Sequence, residues 1–226
     1  MLRSYFGPLV QSDRDPLQAT VGLLRYAVHT LGFDECTPLQ KRWALYAACR
    51  LAALVERDVQ RSGQLRVDWL VEGPGKVGLT LLPGRRDLGR DLERDLATLR
   101  EERVARIVCL VPIDELARYG VGDLLERYAA LGLRVHHSPI MDQGISSLAE
   151  TREVVRFIDE GVIAGENVVV HCVGGLGRSG MTAACWLVAQ GLSATAAIEQ
   201  VRRVRSPRAV ETSMQADFVA LYQGGQ

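Results

Sequence analysis

The sequence carries no net charge: 27 Lys and Arg balance 27 Asp and Glu over 226 residues. With no global field, neither nucleic acid nor an anionic membrane surface is an expected partner. Aromatic residues are few, at 6%. No apolar run approaches the roughly 20 residues that span a bilayer. The segment Met1 to Val10 has no charged stretch followed by an apolar core and a small-residue cleavage site, so a secretory leader is not expected. The five cysteines, Cys36, Cys49, Cys109, Cys172 and Cys185, are odd in number and contain no CxxC pair. Such usage speaks against a disulfide framework and a zinc site and fits a reducing, cytoplasmic setting. What is present, 47% hydrophobic and 24% charged residues, is ordinary globular composition, enough for one good core with or without an appended lobe.

Residues 1–62 read as a helical extension. Asp15-Pro16-Leu17-Gln18 and Thr37-Pro38-Leu39-Gln40 share one form: an N-cap residue, proline at the first helical position and Gln at the third. Leu17, Val21, Leu24, Val28 and Leu31 draw one apolar stripe, and Leu39, Trp43, Ala47, Leu51 and Leu54 another. This pair of helices is either a cap on the adjoining domain or an arm that docks a protein partner. Residues 63–226 alternate between strand and helix patterns. Strands are expected at Leu65–Val71, Val77–Leu82, Val104–Val111, Leu133–His137 and Asn167–His171. Helices are expected around Leu88, Leu92, Leu96 and Leu99, between Asp114 and Leu131, after the Ser147-Leu148-Ala149-Glu150 capping box, and over Ser179–Gln190, Ser193–Val204 and Val210–Tyr222. The expected fold class is therefore α/β, a central, mostly parallel sheet flanked by helices with an N-terminal helical extension.

The chemistry concentrates in His171-Cys172-Val173-Gly174-Gly175-Leu176-Gly177-Arg178-Ser179, between a predicted strand and a predicted helix. A glycine-containing loop entering a helix aims several backbone N–H groups into one concavity, and the helix dipole adds positive potential. Arg178 supplies a planar fork that matches phosphate oxygens. A cysteine in such surroundings is expected to act as a thiolate. Cys172 thus becomes the candidate nucleophile, Val173 to Arg178 the candidate phosphate cradle, and Ser179 a hydrogen-bond partner for the departing sulfur. His171 is expected to orient the loop. No metal or other cofactor is called for. Phosphate-ester cleavage also needs a proton donor for the leaving oxygen and later a base for water. Asp142, in the turn-like stretch Pro139 to Gly144, is the candidate for both, ahead of the helical Asp159 and Glu160. Adjacent His136 and His137 on a strand point to opposite faces and cannot jointly grip one metal.

His-Cys-x-x-Gly-x-x-Arg-Ser is the signature of the protein tyrosine and dual-specificity phosphatases, and the full run resembles their kinase-associated phosphatase (cyclin-dependent kinase inhibitor 3-like) branch. The resemblance extends to Leu82-Pro83-Gly84, to Asp114-Glu115-Leu116 and to His136-His137-Ser138-Pro139-Ile140-Met141-Asp142, covering residues 65–224. It implies a phosphocysteine mechanism with an acid at a loop comparable to that of Asp142. It also implies a water-positioning loop with two glutamines. Here the first of these is Glu211 and only Gln215 matches, so Glu211 reads equally as a cap of the last helix. The absence of Lys or Arg between Cys172 and Arg178 favours a phosphoprotein over a phosphoinositide. The lack of a long insertion before Val77 implies a shallower pocket taking phosphotyrosine and possibly phosphoserine or phosphothreonine. Two other classes use such an anion loop: a sulfur-transfer or arsenate-reductase-like enzyme, and a phosphoprotein-binding module. Cys109, at the end of a predicted central strand, is either a buried structural thiol or a disulfide partner for Cys172. Cys49 and Cys185 read as core.

Overall fold

The computed structural model describes residues 63–71 and 73–225. The two expected N-terminal helices, with Cys36 and Cys49, lie outside the described residues.

The described chain is an α/β assembly around a five-stranded sheet. Its strands are β1 (Asp68–Trp69), β2 (Val77–Thr80), β3 (Val104–Cys109), β4 (Arg134–His137) and β5 (Asn167–His171), in the spatial order β1-β2-β5-β3-β4. β2, β5, β3 and β4 run parallel, and β1 pairs antiparallel with β2. Seven α-helices accompany them among the described residues: α1 (Leu92–Glu101), α2 (Ile113–Arg118), α3 (Leu124–Ala130), α4 (Leu148–Ile163), α5 (Gly177–Ala189), α6 (Ala194–Val204) and α7 (Ser213–Gly224). Val168, Val169 and Val170 of β5 are all fully buried. Successive strand side chains face opposite ways, so helices must cover both faces, which is why this strand reads as a continuous apolar run.

The expected strand over Leu65–Val71 shrinks to the two residues of β1. It reverses through Gly73-Pro74-Gly75 into a hairpin at the sheet edge, where Asp68 faces Leu79 and Trp69 faces Gly78. Two expected helices divide or shift. Leu88 belongs to a 3-10 turn (Arg86–Leu88) that closes on Gly89 before α1 begins, and the Asp114–Leu131 stretch breaks at Gly120 and Gly122 into α2 and α3. The capping box at α4 forms as read: Ser147 accepts from the Glu150 amide while the Glu150 carboxylate accepts from the Ser147 amide.

Parallel strands put their C-terminal ends at one edge, where loops to the helices gather and where open α/β sheets bind ligands. β5 leads there into residues 172–176 and α5, and β3 leads into α2. α5 is buried along nearly its whole length between the sheet, α4, α6 and α7, so the loop that feeds it rests on a rigid support.

Candidate active site

The loop from Cys172 to Leu176 is pinned from outside. The Val173 carbonyl accepts from the Leu82 amide at 3.1 Å and from Arg85 Nη1 at 3.0 Å. The Gly175 and Gly174 carbonyls accept from Arg205 Nε at 2.9 Å and Nη2 at 3.2 Å. Arg205 is itself held by Asp68 at 2.5 Å. In a trans peptide the carbonyl of one residue and the N–H of the next point in opposite directions. Carbonyls turned outward at 173, 174 and 175 therefore turn the amides of Gly174, Gly175 and Leu176 inward. Gly175 has φ +70°, and a Cβ there would lie 2.3 Å from the Thr80 carbonyl oxygen at the end of β2. Only glycine lets the loop press this closely on the sheet edge.

Cys172 and Arg178 are both buried, each 3% exposed. The Cys172 sulfur lies 3.4 Å from the Ser179 hydroxyl. Arg178 Nη1 donates to the Glu115 carboxylate and to the Ile140 carbonyl, both at 2.9 Å, and its Nη2 is 3.3 Å from Asp142 Oδ1. Burial works against its positive charge, but Cys172 and Glu115 outweigh it, so the guanidinium holds its proton more tightly than usual. Asp142 is 71% exposed and sits on a turn where Gln143 has φ +59° and the Gly144 amide closes onto the Met141 carbonyl. Asp142 lines an open pocket with Arg85, Glu115, Val173, Gly174 and Glu211; Arg178 bonds to two of these walls, Glu115 and Asp142, and Cys172 directly precedes a third, Val173. Such a pocket can hold a tetrahedral oxyanion against the loop amides, with a thiol beneath it and a carboxyl at its mouth.

His171 is fully buried. Its Nε2 is 3.1 Å from the Tyr128 hydroxyl and its Nδ1 3.4 Å from the Cys172 carbonyl. A carbonyl only accepts, so Nδ1 carries the hydrogen and Nε2 accepts from Tyr128. Burial pulls this ring from 6.5 down to about 4. The folded protein keeps it neutral, whereas the unfolded chain takes up a proton below about pH 6.5. Its contribution to stability is present above that pH and is lost as pH falls toward 4, on the order of 3 kcal/mol in total. Urea unfolding of wild type and His171→Asn between about pH 7 and 4 measures this: the wild type is expected to lose stability more steeply on acidification. Parallel curves would contradict the assignment.

Gln215, expected to position water, is buried and engaged elsewhere. Its amide oxygen accepts from the Glu211 and Thr212 amides, and its NH2 donates to the Gly144 carbonyl of the Asp142 turn. It ties two loops together. Thr212, not Glu211, is the N-cap of α7. Asp159 accepts from Trp186 and Gln190, and Glu160 lies by Arg106, so neither reaches the pocket. His137 Nε2 meets the Val111 carbonyl at 2.9 Å while His136 stacks on Phe157, in keeping with opposite faces. Cys109 is fully buried and its thiol is pushed up to about 12, by burial first, with a smaller contribution from Cys172. A thiol held protonated in this way is a slow partner for disulfide exchange. Cys185 is likewise buried and pushed up to about 12.

The sequence reading missed Glu115, Arg85, Arg205 and Tyr128 as parts of this site. Glu115 carried a signal, since it follows the C-terminal end of a buried parallel strand. Arg205, some 30 residues beyond the loop it pins, carried none.

Among known proteins, residues 58–201 match the family model described as Cyclin-dependent kinase inhibitor 3 (CDKN3). The chain is 29% identical over 163 residues to Cyclin-dependent kinase inhibitor 3 of Rattus norvegicus, covering 69% of this chain and 77% of that protein. With the Homo sapiens protein it shares 31% over 147 residues, covering 63% and 69%. The fold is similar to a crystal structure of kinase associated phosphatase whose catalytic-site cysteine is substituted by serine, at TM-score 0.68 and 28% identity, over 73% of this chain and 97% of the other. It is also similar to Tk-PTP in the active form, at TM-score 0.57 and 30% identity, over 70% and 96%. The chain belongs to the Cyclin-dependent kinase inhibitor 3 family and has a protein tyrosine phosphatase-type fold.

Proposed function

We propose that this member of the Cyclin-dependent kinase inhibitor 3 family is a phosphoprotein phosphatase that works through a phosphocysteine at Cys172. The observation that carries the reading is that Cys172 opens a pinned loop of inward-turned amides beside a pocket lined by Val173, Gly174 and Asp142, with Arg178 paired to Asp142. Substrate phosphate lies in the amide cradle of residues 173–177 and takes over one edge of the Arg178 guanidinium. In the first step the Cys172 thiolate forms a bond to phosphorus in line, the P–O ester bond breaks, and Asp142 gives its proton to the leaving oxygen. In the second step Asp142 takes a proton from water, the water oxygen attacks phosphorus, and the sulfur leaves with a hydrogen bond from Ser179. Loop amides and Arg178 stabilise the equatorial oxygens as charge redistributes. The roles of His171 and Gln215 are to hold the loops, not to touch substrate.

An acid at the pocket mouth supports ester hydrolysis over sulfur transfer, which has no alkoxide to protonate. The kinase named with one structural relative supports a phosphoprotein substrate, as does the absence of Lys and Arg from residues 173–177. The test is release of phosphate from phosphotyrosyl and phosphothreonyl peptides and from a phosphoinositide, all with EDTA present. Chelator-resistant turnover of the peptides is expected, and turnover of the phosphoinositide alone would overturn the substrate class. Asp142→Ala is expected to lower kcat by about 10²–10⁴-fold. An unchanged kcat would remove Asp142 from the mechanism.

A further inference from the structure

Glu211 has no evident structural reason to be acidic. The cap of α7 is Thr212, and the Glu211 backbone amide is taken by Gln215. Its ion pair with Arg208, at 3.8 Å, is solvent-exposed on the arginine side and contributes little. Its carboxyl instead turns toward the phosphate loop. Oε2 lies 2.5 Å from where a Cβ on Gly177 would sit, and the Gly177 backbone favours its charged form. Gly177 is the first residue of α5. Its N–H lies opposite the Leu176 carbonyl, which accepts from the Gly180 and Val210 amides, so it opens toward the loop's concave side. A carboxylate oxygen this close to Gly177 stands near where an equatorial phosphate oxygen would.

We propose that the Glu211 carboxylate competes with substrate phosphate for the Gly177 amide and so sets how tightly the loop binds an oxyanion. The inference rests on the phosphate-loop reading of residues 172–178. An arriving phosphate brings negative charge beside an existing one and needs the Gly177 donor that the Glu211 carboxylate crowds. Binding therefore requires that the carboxyl leave the amide or take up a proton. Protonation is within reach, because burial first and Asp142 next raise the Glu211 pKa against the lowering by Arg208, Gly177 and Arg178. The groups facing it are the Gly177 amide and Arg178 from α5, Asp142 from the 139–144 turn, Gln215 from α7 and Arg208 from its own segment, with Arg85, Glu115 and Arg118 on the pocket walls. The Glu211 carboxyl abuts the phosphate loop at Gly177, where it meets the bound oxyanion rather than the attacking water. Glu211 thus acts on affinity rather than as a second base.

Calorimetric titration of inorganic phosphate into wild type, Glu211→Gln and Glu211→Ala tests this without turnover. At pH 7.5 both variants are expected to bind phosphate more tightly, on the order of tenfold. The ratio of wild-type to variant Kd should fall toward one as pH is lowered and the Glu211 carboxyl, raised by burial, takes up its proton; using a ratio cancels the titration of phosphate itself. Equal affinities at pH 7.5 in the presence of a binding wild type would overturn the proposal and leave the phosphatase reading intact. No binding by any of the three would overturn both. Thermal melts of the same samples identify a variant that fails to fold, and the isosteric Gln then decides.

Discussion

Cys172→Ser is expected to reduce phosphomonoester hydrolysis to background, a loss of about 10⁴-fold or more, while inorganic phosphate still binds. The thiolate is both the nucleophile and the leaving group of the proposed cycle. A serine hydroxyl would need a general base, and none is placed to serve. Ser179 is the hydroxyl neighbour of the sulfur, and the His171 ring is committed to Tyr128 and the Cys172 carbonyl. The oxyanion cradle is built from carbonyls pinned by Arg85, Leu82 and Arg205, none of which depends on the sulfur. Binding and turnover should therefore separate cleanly. Hydrolysis of para-nitrophenyl phosphate in EDTA reports the second, and phosphate titration the first.

Arg178→Lys is expected to lower kcat/KM by about 10³-fold, comparable to losing an oxyanion-hole donor, and also to destabilise the fold. The guanidinium spends Nη1 on Glu115 and the Ile140 carbonyl and presents Nη2 toward Asp142 at the pocket. A lysine ammonium is a point donor without the planar fork and cannot satisfy these partners at once. Glu115, whose side chain is 7% exposed, would be left with a poorer partner, and breaking a buried pair costs about 3–5 kcal/mol. Arg178→Lys combined with Glu115→Gln should recover stability but not catalysis. If the double variant regained activity, Arg178 would be a structural residue only.

The central part of the site was legible because it is local. Strand, glycine loop and helix follow one another in sequence, and each imposes its own pattern: Val168 to Val170 apolar without alternation, three glycines, then an apolar helix. Asp142 was legible from a turn pattern and a family likeness, and the structure brings it within 3.3 Å of Arg178. Parts that act across the fold left little trace. Arg205 and Asp68 lie 137 positions apart yet together brace the loop, and a short antiparallel β1 positions Asp68 in a segment that read as a longer strand. Tyr128 lies in the stretch Asp114 to Leu131 that read as helical, and its hydroxyl matters only because His171 comes to rest beside it. Of the two-glutamine pattern only Gln215 matches, and it turns inward to tie two loops while Glu211 lies against the phosphate loop at Gly177.

The measurement that tests the central claim most directly is acid quench of the wild-type protein during turnover of a phosphotyrosyl peptide in EDTA, with peptide mapping of the quenched protein. One phosphoryl group is expected on the peptide containing Cys172, absent when Cys172 is serine. Steady turnover with no phosphoryl group on that peptide, or with the label on another residue, would contradict the phosphocysteine mechanism.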